Sequence, residues 1–117
     1  KQTAWYRGTD REVFGRALSD IGGSSKIGFG ILELSPGCNT LPGHYHTLEE
    51  EHLYVLEGFG TLHLGAETYP LERGSYVIFS AGQAVPHFVS NESQTPLRYI
   101  MAGERIDDDE VVYANNA

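Results

Sequence analysis

Cysteine is almost missing from this chain of 117 residues: Cys38 is the only one. No intramolecular disulfide can form, and redox chemistry lends no support to secretion. A lone thiol could be a nucleophile, but beside the turn at Pro36-Gly37 it reads as a small apolar residue. Positive charge is also scarce. Eight Lys and Arg stand against sixteen Asp and Glu, a formal net charge of −8, which argues against general binding to nucleic acid or to an anionic membrane, because both need a positive face. No apolar run approaches the thickness of a bilayer, and Lys1-Gln2-Thr3-Ala4-Trp5-Tyr6 has no signal-peptide core, so neither membrane insertion nor export is expected and the cytoplasm is the expected location. Stretches of sustained helical period are lacking too. The partners left are a small-molecule ligand or substrate and a second copy of the chain.

What the chain does have is 14 glycines, 7 tyrosines and 5 phenylalanines within a 40% hydrophobic composition, the signature of short strands and tight turns. The fold class is all-β, and the length allows one domain that buries roughly two thirds of its unfolded surface. Residues 1–25 read as an N-terminal arm, in which Thr9-Asp10-Arg11-Glu12 with Val13, Phe14, Ala17 and Leu18 suits either a helix start or an extended segment. From 26 to 102, about eight apolar or alternating stretches separated by glycine-rich turns fit a jelly roll or small barrel. Residues 103–117 form an acidic tail, whose run Glu104-Arg105-Ile106-Asp107-Asp108-Asp109-Glu110 reads as a solvated edge.

One segment carries chemistry. In an extended strand His44 and His46 project to the same face while Tyr45 projects to the other, so the two imidazoles can share one ion. Three carboxylates follow at Glu49, Glu50 and Glu51. Glu51 shares a face with Leu53 and Val55, which sets it among core-facing residues. Downstream, the stretch opened by Gly74 runs through Gly82 and Pro86 to His87, a candidate fourth ligand. His52 lies opposite Glu51 and His63 has no partner motif, so both read as surface or dimer-contact residues. Tyr45 and Tyr54 face away from the cluster by the same parity. Phe29, Ile31, Leu53, Val55, Tyr76, Ile78 and Val89 are candidates for a pocket wall, and Trp5 and Tyr6 for a cover over the barrel or a partner. Arg73 and Arg98 are single charges, read first as surface groups.

Gly37, His44, His46, Glu51 and Gly58, then Gly74, Gly82, His87 and Asn91, resemble the two sequence motifs of the cupin superfamily. The spacing His44-x-His46, four residues, Glu51, six residues, Gly58 follows the first motif, and Tyr54-Val55-Leu56-Glu57-Gly58 resembles its closing phrase. Two departures stand out. Six residues rather than five separate Gly37 from His44, and in the second motif Ser80 replaces a common proline while four residues rather than two separate Gly82 from His87. The resemblance, closest to small single-domain bacterial cupins, implies a double-stranded β-helix (jelly-roll) cupin barrel, a homodimer, and a metal held by His44, His46, Glu51 and His87 within its mouth, with Asn91 in the following turn.

Three imidazoles and one carboxylate suit a divalent transition metal such as zinc, nickel, iron, manganese or cobalt, and the absence of thiolates speaks against a closed structural zinc site. The expected function is that of a metal-dependent enzyme acting on a small organic molecule, with oxygenase, isomerase, lyase and cyclase chemistry all open. The alternative is a non-catalytic barrel in which the metal anchors a small ligand.

Overall fold

The structure is a computed structural model that describes residues 3–6 and 12–114, with side-chain surroundings described from Gly15 onward. Its strands are β1 Thr3–Tyr6, β2 Glu12–Arg16, β3 Ile27–Leu34, β4 His44–His46, β5 Glu51–Glu57, β6 Gly60–Leu64, β7 Glu67–Leu71, β8 Tyr76–Phe79, β9 His87–Ser90, β10 Leu97–Glu104 and β11 Val111–Tyr113; the helix α1 spans only Leu18–Ile21. They form two antiparallel sheets, one of six strands in the order β1-β2-β3-β10-β5-β8 and one of five in the order β11-β4-β9-β6-β7. This is the double-stranded β-helix that the resemblance implied, a form of the jelly roll that the strand spacing suggested. The three strands beyond the eight expected are at the termini. β1 and β2 extend the six-stranded sheet, so the arm is extended where Val13 and Phe14 lie, and helix is confined to the short turn after it. The other, β11, pairs with β4 and brings the acidic tail back to the barrel. Thr9, Asp10 and Arg11 and the side chains of Trp5 and Tyr6 lie outside the described residues.

Alternation decides which side chains enter the interior. On β5, Leu53 and Val55 are fully buried while Tyr54 between them is 44% exposed, as the two-residue side-chain period requires. Leu34, Leu62, Leu71, Val89, Leu97 and Tyr99 complete the core with Phe79, and Cys38 packs against it as a small apolar residue. Each fully buried aliphatic side chain contributes roughly 1.5–3 kcal/mol relative to exposure. Gly58 closes the β5–β6 turn at a φ of 94°, and a Cβ there would lie 2.3 Å from the Pro96 carbonyl oxygen, so both conformation and space demand glycine. Among the described residues, no helix is long and apolar enough to cross a membrane.

Interior rows run across the six-stranded sheet in register. Gly28 pairs with Gly103, Gly103 with Glu51, and Glu51 with Phe79; one row further along, Gly30, Met101, Leu53 and Val77 are aligned in the same way. The first of these rows is where the interior changes from hydrocarbon to polar groups.

Candidate metal centre

His44 and His46 enter from β4, His87 from β9 and Glu51 from β5, so both sheets contribute. His44 and His87 are register partners across β4 and β9, with ring centroids 4.8 Å apart. Ligand atoms of His44, His46 and Glu51 lie within 4.8 Å of one another, a grouping able to hold a metal ion. His46 Nε2 is 3.3 Å and His87 Nε2 3.8 Å from Glu51 Oε1. Of the four residues singled out in the sequence, all converge on one locus, and Glu49 and Glu50 do not take the place of Glu51. Glu50 reaches outward to His52, which also bonds Tyr76 on the outer face.

The electrostatics follow from burial. Glu51 Oε1 and His87 Nε2 are buried atoms with no hydrogen-bond partner among the described residues. Such a pair is costly in an apolar interior unless something else satisfies it. Burial pushes the Glu51 carboxyl above its ordinary value; His46 opposes this, while Glu49 and Asp109 add to it. Burial, with His44 and His46 nearby, lowers His87 to about 3, which keeps its imidazole neutral and its nitrogen lone pair available. Phe79 stacks on the His87 ring at 3.8 Å between centroids and 14° between planes, fixing its tilt. His44 directs Nδ1 at the Pro42 carbonyl oxygen, 3.3 Å away. These donors, three imidazoles and a carboxylate facing one locus, are the chemistry that a divalent ion requires.

Sequence reasoning missed one residue of the site. Asp109 Oδ2 lies at hydrogen-bond distance, 2.7 Å, from His46 Nδ1, and the Asp109 side chain is only 6% exposed. Burial acts against its ionisation, but hydrogen bonds from His46, Leu48 and Glu49 outweigh that and hold its carboxyl below the ordinary value. The tail run is therefore not simply a solvated edge.

The proposed wall needs correction as well. Phe29, Tyr76 and Ile78 are 39%, 56% and 49% exposed on the outer face of the six-stranded sheet, whereas Leu53, Val55 and Val89 are packed in the core. The small cavity beside His46 and His87 is lined instead by Leu64, Phe79, Ser80, Gln83 and Val85, with Glu49, and by Tyr45, which strand parity had turned away from the cluster. Gln83 and Val85 come from the lengthened Gly82–His87 loop, so the extra residues shape the mouth. His63 is on the five-stranded sheet, stacked on Phe88 and hydrogen-bonded to Ser90, away from the cluster.

Fold and cluster together define a class, small double-stranded β-helix barrels with a candidate metal centre inside one end. The chain belongs to the cupin family: the Cupin domain model matches residues 30–103. It is 32% identical over 82 residues to the tetracenomycin polyketide synthase protein TcmJ of Streptomyces glaucescens, covering 70% of this chain and 52% of that protein, so it spans about half the length of this curated relative. The crystal structure of a putative sugar phosphate isomerase from Acidithiobacillus ferrooxidans superposes with a TM-score of 0.83 at 33% identity, over 89% of this chain and 66% of the other, just under two thirds of its length. A sugar phosphate isomerase of the cupin superfamily from Silicibacter pomeroyi gives a TM-score of 0.88 at 23% identity, over 98% and 77% of the two chains, a likeness of fold.

Proposed function

We propose that this cupin binds one divalent transition metal through His44, His46, Glu51 and His87 and acts with it on a small oxygenated organic molecule. The observation that carries the reading is the buried pair of unsatisfied atoms, Glu51 Oε1 and His87 Nε2, 3.8 Å apart beside two further imidazoles. A divalent ion held there would supply Lewis acidity toward a substrate oxygen. The chain's own part is to position and to dry the site: Phe79 fixes the His87 ring, and Tyr45, Leu64 and Val85 present hydrocarbon at the mouth while Gln83 and Ser80 offer polar contacts there. The names of two relatives above 30% identity, a putative sugar phosphate isomerase and a polyketide synthase protein, support a substrate rich in carbonyl or hydroxyl oxygen.

Elemental analysis of protein purified without nickel resin tests the first half. About one equivalent of zinc, nickel, iron, manganese or cobalt is expected in wild type and none in a His44→Ala/His46→Ala variant. Turnover of sugar phosphates or small polyketides by the metal-loaded form, lost in Glu51→Gln, tests the second. Tight ligand binding without turnover would move the reading to a non-catalytic, metal-anchored barrel, and no metal after reconstitution would sink it.

We further propose a homodimer, with no nucleic acid or membrane partner. The outer face of the six-stranded sheet aligns Ile31, Ile100, Tyr54 and Tyr76 in one row and Phe29, Ala102, His52 and Ile78 in the next, a broad apolar surface suited to a twin. Light scattering should give twice the chain mass, and Tyr54→Lys with Ile78→Lys should halve it.

A further inference from the structure

The acidic segment after β10 is tied to the strand and turn that carry the candidate ligands. The Thr47 N–H donates to the Glu110 carbonyl and the Glu110 N–H to Thr47 Oγ1, each at 3.0 Å. The Ile106 N–H donates to Glu49 Oε2 at 2.8 Å, and β11 continues the attachment by pairing Val111 with His46 and Tyr113 with His44. Asp109 lies within this clasp. Its Oδ1 accepts the backbone N–H of Leu48 at 2.8 Å and of Glu49 at 2.9 Å, while Oδ2 faces His46 Nδ1 at 2.7 Å.

Hydrogen-bond logic then assigns the His46 tautomer. Backbone N–H groups only donate, so Oδ1 must accept, and an ionised carboxylate has no proton to offer at Oδ2. Nδ1 therefore carries the hydrogen, with Glu49 Oε1 as a more distant second acceptor at 3.5 Å. In a neutral imidazole this leaves the lone pair on Nε2, the nitrogen that faces Glu51 at 3.3 Å. We propose that Asp109 is a positioning residue: from the C-terminal segment it holds His46 in the Nδ1–H tautomer and presents Nε2 to the metal. The inference rests on the metal reading above and adds to it a carboxylate–histidine pair whose carboxylate is preorganised by the backbone rather than by an ion.

Asp109→Asn is the informative variant because it is nearly isosteric. Its oxygen must stay at the Leu48 and Glu49 N–H groups, so its NH₂ faces His46 Nδ1. Two donors cannot meet, and His46 must shift its proton to Nε2, where it points at Glu51 and blocks coordination. The readout is ¹⁵N imidazole NMR on metal-free protein at about pH 8, where an ordinary imidazole is neutral, with the His46 signals identified by their loss in His46→Asn. Wild type should show Nδ1–H and Asp109→Asn Nε2–H. Zinc affinity, measured by competition with a chromophoric chelator, should fall roughly 10- to 100-fold, with the metal-free melting temperature close to wild type. An Nε2–H tautomer in wild type would overturn the inference without recourse to any Asp109 variant, as would an Asp109→Asn protein that binds zinc like wild type. A tautomer exchange in a protein that binds no zinc would support the orientation of His46 and overturn the metal reading.

Discussion

Asn91 and the Glu51–His87 pair are both buried polar groups, and the barrel treats them differently. Asn91, 1% exposed, has its side chain fully matched: Nδ2 donates to the Leu34 and Thr95 carbonyls at 2.9 and 2.8 Å, and Oδ1 accepts from the Ser93 N–H and hydroxyl at 3.0 and 2.7 Å. It closes the end of the barrel where Leu34 pairs with Leu97. At the other end of β10, where Gly103 pairs with Glu51, Glu51 Oε1 and His87 Nε2 have no partner among the described residues. A satisfied buried polar group specifies a fold, whereas an unsatisfied one costs stability and points to a ligand. The same alternating strands thus supply structure at one end and chemistry at the other.

Two substitutions should separate these roles. Glu51→Gln keeps volume and removes a buried charge, so metal uptake should fall from about one equivalent to none while the metal-free protein melts at or above the wild-type temperature. Asn91→Ala should do the reverse. It strands the Leu34 carbonyl and unties the turn to Thr95, at a cost of about 2–3 kcal/mol in denaturant unfolding, with metal affinity of the folded fraction unchanged. Metal-free Glu51→Gln losing as much stability as Asn91→Ala would erase the distinction.

A smaller effect sharpens the comparison through pH. His87 is lowered to about 3 in the fold, against an unfolded value near 6.5. Between those values the unfolded chain binds more protons, so this group makes the metal-free protein lose stability as pH falls below about 6.5. Glu51 acts in the opposite sense: its carboxyl is raised by burial, so the fold holds its proton more tightly than the unfolded chain just above the ordinary carboxylate value. Urea unfolding of metal-free wild type and His87→Gln from pH 7.5 to 4.5 isolates the histidine. The variant should have the shallower decline, and parallel curves would show that His87 is not held neutral.

Most of the locus is legible in the sequence because strand period is local. His44, His46 and Glu51 occupy eight consecutive positions, and a strand reading is enough to put the imidazoles on one face. His87 is reached through the second motif in spite of its longer loop. Asp109 was not legible: 63 residues separate it from His46, and its neighbours Asp107, Asp108 and Glu110 make it one of a run of acids. The only signal was Val111-Val112-Tyr113, a strand-like triplet able to return that run to β4. The wall residues failed for another reason. β8 is apolar on both faces, with Tyr76 and Ile78 outside and Val77 and Phe79 inside, and a period of two says which residues share a face without saying which face is interior.

The finest test of the comparison uses two glycines of one row. A Cβ on Gly103 would lie 3.0 Å from both the Glu50 carbonyl oxygen and Glu51 Cγ, tighter than ordinary contact. The Glu50 carbonyl is fixed by the Glu104 N–H at 3.1 Å, so the Glu51 side chain must give way. A Cβ on Gly28, across the row, would meet only the Arg105 side chain within 3.4 Å, and that flexible group can move. Gly103→Ala should therefore weaken metal binding about tenfold, about 1.4 kcal/mol, while Gly28→Ala leaves it within about twofold, under the same constant. Calorimetric titration of zinc into both variants decides the matter. Equal affinities would mean that Glu51 meets the metal from a pose other than the one Gly103 makes room for, and the buried orphaned oxygen would lose its role as the marker of the site.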